Sequence, residues 1–157
     1  MGVVDDQLNI IELLAQHEEV IAKLYAVYAE RFLDYEQFFL GLVEDEGKHA
    51  QWIRAIKDKF RDGSVIVNEN RFPMEMIEES IKTINNLIAK AEELDLTLEE
   101  ALHSATKIEK GMIDRHFFEA FEGDPSALKT LLTSLRTGTE HHYQIAYEAW
   151  TRVRDSK

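Results

Sequence analysis

The chain has 157 residues, enough for one domain with a sizeable core, and 45% of them are hydrophobic while 31% are charged. Its formal net charge of −12 argues against binding to nucleic acid or to an anionic membrane surface, and the absence of cysteine excludes disulfides, cysteine-bound zinc and iron–sulfur clusters. No stretch approaches transmembrane length and the first residues do not resemble a signal peptide. We therefore expect a cytoplasmic protein with a single domain over residues 1–157.

Hydrophobic residues recur with a helical period along nearly the whole chain. The pattern predicts a first long helix, segment A, from about Asp6 to Leu33. Asp34 is expected to cap a second long helix, segment B, which continues to about Arg61. Asp62-Gly63-Ser64 should end segment B, with the glycine just past the last helical residue.

The stretch VIVNENRF at 65–72 is the only linker of any length without a helical pattern. Pro73 follows it in a position that suits the first residue of a helix, because proline lacks the N–H that would remain unpaired there. The apolar residues after Pro73 predict a shorter amphipathic helix over 74–92.

Two more long helices are predicted in the second half of the chain. The sequence TLEE at 97–100 is typical of a capping box and should open segment C, which is expected to continue to Phe121 and stop at Gly123. Asp124-Pro125 should supply the cap and the first residue of segment D, which runs to about Arg152. Short turns within the pairs A–B and C–D predict an all-α protein, an antiparallel four-helix bundle with an extra helix in the crossover between B and C.

Each long helix carries a polar residue that could bind a metal near the middle of its apolar stripe. In segment B, Glu46 and His49 stand three residues apart on the face that also carries Phe39, Leu42, Ile53, Ile56 and Phe60. The inward positions of segments A, C and D are Glu18, Glu109 and His142.

A single buried glutamate or histidine is more often a structural residue with its hydrogen bonds satisfied than a ligand. Five such residues at matching depth on four helices are harder to explain in that way. Three carboxylates facing one another would repel strongly in a core of low dielectric constant, and shared cations would remove that cost. Carboxylate oxygens combined with imidazole suit iron, manganese or zinc.

Other residues near these stripes allow two interpretations. Tyr25 is expected either to hydrogen-bond a ligand carboxylate or to be a core tyrosine with its hydroxyl satisfied. His17, His103 and His141 fall off the inward stripes and are expected to be solvated, and His116 should be structural or on the surface. Four glycines interrupt the predicted helices, and close helix packing would explain them: Gly41, Gly47, Gly111 and Gly138. The last three neighbour the candidate ligands, so they could instead leave room for a small molecule.

The residues Glu18 in EEVIAKLY, Glu46 and His49 in EDEGKHA, Glu109 in KIEKGM and His142 in TEHHY resemble the ligands of rubrerythrin-like ferritin-fold proteins. That family binds two metal ions through a glutamate from each of two helices and Glu-x-x-His from the other two. The resemblance covers nearly the whole chain. It implies a ferritin-like non-haem di-iron oxidoreductase that acts on peroxide or dioxygen, or a ferroxidase, with Glu46 bridging two iron ions. Zinc or manganese could replace the iron.

The sequence departs from the family pattern at three points. Thr139 stands where segment D should carry a glutamate, and the adjacent Glu140 points about 160° away from His142 around a regular helix. Met112 replaces a further glutamate of rubrerythrins proper. No cysteine-rich rubredoxin segment follows, so electrons would have to come from an external donor.

Two divalent ions carry four positive charges, and three carboxylates would leave one of these charges unbalanced. Hydroxide or an exogenous anion could balance it, or the site could hold a single metal ion instead of two. Three functions therefore remain open at this point. The chain could be a dimetal enzyme with a small oxidant such as peroxide or dioxygen as substrate, a protein that binds a single metal with little turnover, or a helical scaffold with a degenerate site. A homodimer is also compatible with the sequence.

Overall fold

The computed structural model describes residues 2–61, 65–67, 74–93, 95–115, 121–123 and 125–156, with side chains over 8–59, 74–93, 95–115 and 130–156. These parts of the chain form an all-α protein with one small two-stranded ribbon. The helices are α1 (Gly2–Arg31), α2 (Glu36–Arg61), α3 (Met74–Glu93), α4 (Leu98–Asp114) and α5 (Pro125–Asp155), and the strands are β1 (Val65–Val67) and β2 (Phe121–Gly123). No helix within these ranges is both long enough and apolar enough to cross a membrane.

Helices α1 and α2 pack against each other in antiparallel orientation. Near the start of α1 and the end of α2, the Arg54 guanidinium binds the carboxylates of Glu12 and Glu19 at 2.9 and 2.7 Å. At the opposite end of the pair, the rings of Tyr28 and Phe39 lie 5.4 Å apart. The ion pairs face solvent and the rings face the core, so the pair is stabilised mainly by its apolar inner surface.

Helices α4 and α5 form a second antiparallel pair. The ring of His103 stacks on that of Trp150 at a centroid distance of 4.4 Å, and further along the pair Glu109 of α4 approaches His142 of α5. His103 is half-buried, so its prediction as a solvated residue is correct only in part.

The two helix pairs share one interior. The Tyr25 hydroxyl of α1 donates a hydrogen bond to Glu109 of α4, and His142 of α5 contacts Glu46 of α2. Side chains from α1, α2, α4 and α5 therefore meet, although α4, with 17 residues, is shorter than the 20-residue α3. The surrounding core is apolar, with buried residues that include Leu24, Tyr28, Phe39, Leu42, Leu102 and Leu135.

Helix α3 packs on α1 and buries Ile77, Ile84 and Ile88. This contact also buries His17 of α1, whose Nε2 lies 2.8 Å from the Ser80 hydroxyl of α3. Burial lowers the pKa of His17 to about 4. The prediction of a solvated His17 is wrong because the sequence pattern of α1 does not reveal which of its faces α3 covers.

The predicted capping box at the start of α4 is confirmed in part. The Thr97 hydroxyl accepts a hydrogen bond from the Glu100 backbone N–H at 3.1 Å and donates to the Glu100 carboxylate at 2.9 Å. The predicted cap at Asp34 is wrong, because this residue lies inside a short 3₁₀ helix, Leu33–Tyr35, that precedes α2. Pro125 is the first residue of α5, as predicted.

The prediction that segment C continues to Phe121 is also wrong. Helix α4 ends at Asp114, and Phe121–Gly123 is a strand that pairs antiparallel with Val65–Val67, which belongs to the stretch predicted to be a non-helical linker. The pairing satisfies backbone groups of both connections, and β-branched valine and isoleucine favour an extended backbone. The predictions for Asp62-Gly63-Ser64, Pro73, Phe60, His116 and Asp124 lie outside the described residues or side chains.

Candidate metal centre

The middle of the α2 stripe places a carboxylate and an imidazole one helical turn apart, and helices α1, α4 and α5 add one such group each. All five side chains are buried, as predicted from the helical period. Their exposed fractions are 2% for Glu18, 0% for Glu46, 3% for His49, 0% for Glu109 and 1% for His142.

The five side chains form two groups that share Glu46. Glu18, Glu46 and His49 each offer one ligand atom within 4.8 Å of the others, and so do Glu46, Glu109 and His142. We call these the Glu18 triad and the Glu109 triad. The predicted convergence of the five residues on one interior region is thus what the geometry shows.

The two oxygens of Glu46 face different imidazoles. Oε1 lies 3.0 Å from Nδ1 of His142, and Oε2 lies 3.5 Å from Nδ1 of His49. Glu109 approaches the same His142 nitrogen at 3.6 Å. A carboxylate that presents one oxygen to each triad has the position of a group that could bridge two ions.

Several buried polar atoms at this place have no hydrogen-bond partner among the described residues. They are Oε2 of Glu18, Oε2 of Glu46, Nδ1 of His49, Oε2 of Glu109 and Oγ1 of Thr139. An unpaired buried polar atom costs about 1–3 kcal/mol, and native proteins contain few of them. Their concentration in one interior region fits a group of atoms arranged to coordinate a cation.

The carboxylates of the centre repel one another. Burial and the nearby charge of Glu46 raise the pKa of Glu109 to about 8. Burial, together with Glu46 and Glu109, raises the pKa of Glu18 well above its ordinary value. Both shifts show that negative charge is unfavourable here unless positive charge balances it.

Glu46 and His142 shift in the opposite directions. Burial acts to raise the pKa of Glu46, but its hydrogen bond with His142 and its close approach to Glu18 and His49 hold it well below its usual range. Burial acts to lower the pKa of His142, yet its contacts with Glu109 and Glu46 raise it to about 11. These two groups therefore form the ionic centre of the cluster.

Asp45 is a site residue that the sequence reasoning missed. Its Oδ2 lies 3.0 Å from Nε2 of His142, on the side of the ring opposite to Glu46. A proton held on Nε2 by this carboxylate leaves Nδ1 free to bind a metal, which is a common arrangement for metal-binding histidines. The only signal in the sequence was its position next to Glu46, and a contact between α2 and α5 cannot be read from α2 alone.

The Tyr25 hydroxyl donates a hydrogen bond to Oε1 of Glu109, with 2.9 Å between the two oxygens. This geometry fits both predicted roles, because Tyr25 bonds a candidate ligand and is also a buried core tyrosine with its hydroxyl satisfied. Because Oε1 is held by the tyrosine, Oε2 of Glu109 is the oxygen left without a partner. The bond fixes the orientation of the Glu109 carboxylate, as hydrogen bonds from neighbouring residues commonly do for carboxylates that bind metals.

Counted back from the histidine of each helix, α5 has Gly138 and Thr139 at the positions where α2 has Asp45 and Glu46. Thr139 is fully buried and Glu140 is exposed, as predicted. A Cβ atom added at Gly138 would lie 2.7 Å from Nε2 of His49, so glycine is required for the ring to pack there. The same addition at Gly41, Gly47 or Gly111 would meet nothing within 4 Å. Close packing thus explains Gly138 but not the other three.

Comparison of the chain with protein-family models, with curated proteins and with solved structures finds no match in any of the three. The resemblance to rubrerythrin-like proteins therefore rests on the five candidate ligands and on the order of the helices that carry them.

Proposed function

We propose that this chain is a metal-binding protein whose ligands are Glu18, Glu46, His49, Glu109 and His142. The observation that supports this most is the sharing of Glu46 by two triads in which four ligand atoms have no hydrogen-bond partner among the described residues, namely Oε2 of Glu18, Glu46 and Glu109 and Nδ1 of His49. We further propose that α1, α2, α4 and α5 form a ferritin-like antiparallel four-helix bundle, with α3 as the extra helix of the long connection.

The donor atoms restrict the kind of metal. Three carboxylates and two imidazoles form a set of hard and borderline ligands without sulfur, which suits iron, manganese or zinc. Iron is the metal we propose, because the resemblance to the rubrerythrin-like family implies it. Two divalent ions would carry four positive charges against three carboxylates, so the second ion should bind more weakly than the first.

We propose an oxidoreductase activity towards peroxide or dioxygen, with ferroxidase activity as one form of it. Bound iron would supply the electrons and polarise the oxidant. The chain itself would hold the ligands in place through Asp45 and Tyr25, and its apolar core would limit the access of water. The chain has no cysteine for a redox centre of its own, so an external electron donor would return it to the reduced state.

A protein that holds one metal ion with little turnover is the second candidate. Thr139 favours it, because this buried residue offers a neutral hydroxyl at the position where the family carries a fourth carboxylate. The two candidates share the same ligands and differ in stoichiometry and in reaction with oxidants.

One experiment tests both candidates. The protein is loaded with ferrous iron without oxygen, the iron bound per chain is measured, and peroxide is added while its consumption and the oxidation of iron are followed. We expect bound iron and peroxide-dependent oxidation, both strongly reduced in Glu109→Gln and unchanged in Glu92→Gln, which alters an exposed residue of α3. Binding without reaction supports the single-metal candidate. If the wild type binds no iron, manganese or zinc, both candidates are contradicted. The remaining hypothesis is then a helical scaffold with a degenerate site.

A further inference from the structure

Helices α3 and α4 leave a cavity of about 490 Å³ between them. Six residues of α3 line it, and so do six residues of α4 and its C-terminal cap. Within each set the lining residues recur about every three or four positions, so one face of each helix borders the cavity. The size falls within the range of sites that hold small organic ligands. None of the five proposed metal ligands lines this cavity.

The lining combines an apolar floor with charged groups. The apolar surface comes from five residues that are all buried or half-buried, Met76, Ile84, Leu87, Ile108 and Met112, and hydroxyl groups of Ser80, Thr83 and Ser104 also line the cavity. Such a lining would favour a ligand with a hydrocarbon portion, because burial of apolar area provides the main driving force for binding.

Three ionisable side chains line the same cavity, and two of them are cationic. Lys107 and Arg115 are exposed residues of α4 and its C-terminal cap, and Glu79 of α3 is the one acid. The whole chain has 30 acidic and 18 basic residues, so this is a local reversal of the overall charge. Lys107 and Arg115 therefore favour an anionic group on the ligand.

Gly111 keeps part of the cavity open. It lies between Lys107 and Arg115 on α4, and a Cβ atom added there would meet nothing within 4 Å. The first atom of a larger side chain therefore has room at this position, and replacement of glycine inside a helix by leucine also raises helix propensity. This position offers a way to fill the cavity without disturbing the fold.

We propose that the cavity between α3 and α4 is a binding site for a small amphiphilic monocarboxylate, a ligand with one carboxylate group and an unbranched hydrocarbon tail. The tail lies on the apolar floor formed by Met76, Ile84 and Met112, and the carboxylate pairs with Lys107 and Arg115. The site is separate from the proposed metal centre, and the two can fail independently.

Decanoate serves as the probe, used with the full-length chain below the concentration at which decanoate forms micelles. Equilibrium dialysis should show saturable binding of one decanoate per chain. Gly111→Leu should weaken binding by about tenfold or more, since it occupies the space of the tail. Gly41→Leu is the matched control, because it adds the same side chain on an open face of α2, and it should bind as the wild type does. Circular dichroism verifies that both variants keep their helices.

The charge of the ligand is tested with variants and with a second probe. The double variant Lys107→Gln/Arg115→Gln should weaken decanoate binding by about tenfold, while Lys82→Gln/Lys90→Gln, which neutralises two exposed lysines of α3, should not. Decyltrimethylammonium should bind at least about tenfold more weakly than decanoate to the wild type. Absence of saturable decanoate binding, equal binding by Gly111→Leu, or equal affinity for the cationic probe each overturns the proposal.

Discussion

Helices α2 and α5 place three residues at the same spacing against the same interior, but with different chemistry. From α2 come Asp45, Glu46 and His49, and from α5 come Gly138, Thr139 and His142. The first residue of each set meets the histidine of the other: Asp45 binds His142 at 3.0 Å, and the Cβ position of Gly138 lies 2.7 Å from His49.

This difference predicts two unequal metal positions. In the Glu109 triad, His142 is held by Asp45, and Glu109 is held by Tyr25. In the Glu18 triad, Gly138 lies beside His49 at the corresponding position, and Oε2 of Glu18 and Nδ1 of His49 have no hydrogen-bond partner within the described parts of the chain. Pre-positioned ligands bind metal more tightly than ligands that must be ordered. We therefore expect a firm ion at the Glu109 triad and a weaker one at the Glu18 triad.

The largest effect is expected from Glu46→Gln, because this carboxylate belongs to both triads. The substitution keeps the shape of the side chain and removes its charge, so both positions should lose metal, with affinity reduced by at least about 100-fold. Iron, manganese and zinc bound per chain and competition with a chelator measure this loss. Glu44→Gln removes a charge from an exposed residue of the same helix and should have no effect. If Glu46→Gln lost only the weaker ion, Glu46 would not be shared.

A second large effect is expected from Thr139→Glu, which makes α5 resemble α2. A carboxylate at this buried position would supply the fourth negative charge, and the metal content should rise from one ion towards two. Glu140→Ala, one residue further on the exposed face, should change nothing. The metal-free variant should unfold at a lower temperature than the wild type, because it buries one more carboxylate without a cation. An emptied site in Glu140→Ala would show that this segment of α5 is assigned wrongly.

Asp45→Asn should have a smaller effect that is limited to the firm position. The amide cannot hold the His142 ring as strongly as the carboxylate does, and loss of such a partner typically lowers metal affinity by about 10–100-fold. The weaker ion of the Glu18 triad should be affected little. Chelator competition distinguishes the two positions by their affinities, and Glu44→Gln again provides the control. Equal loss at both positions would contradict the division into two unequal triads.

The helical part of the fold and the five candidate ligands were predictable because both depend on local periodicity. A helix repeats every 3.6 residues, so the inward face of each helix follows from its own sequence. Thr97 marked the start of α4 for the same reason, since a cap acts within one turn. Thr139 and Glu140 could likewise be assigned to opposite faces of α5 without knowledge of any other helix.

The features that were missed depend on contacts between distant parts of the chain. The ribbon pairs residues 65–67 with 121–123, and neither strand has a pattern long enough to be recognised alone. His17 is buried by α3, and its contact there, Ser80, lies 63 residues further along the chain. Asp45 and Gly138 acquire their meaning only from the register of α2 against α5, which a single sequence does not contain.

The smallest effect is expected from alanine substitutions at Gly138 and Gly47. Comparison of the two variants tests the register of α2 against α5. Both substitutions remove a helical glycine, which by itself stabilises a helix by up to about 1 kcal/mol. At Gly47 the added methyl meets open space, so this gain should be realised. At Gly138 the methyl would overlap the His49 ring, whose movement is restricted by the rings of Trp52 and His142 at 5.4 and 5.6 Å.

The free energy of unfolding, measured with urea, should therefore be lower for Gly138→Ala than for Gly47→Ala, by about 1–3 kcal/mol, the usual cost of overpacking a well-packed interior. Displacement of His49 should also remove the weaker ion while the firm ion at the Glu109 triad remains, because Asp45 and Tyr25 still hold its ligands. Equal stability of the two variants would mean that His49 has room to move away from α5. In that case Gly138 would not be the counterpart of Asp45, and the inequality of the two metal positions would depend on Thr139 alone.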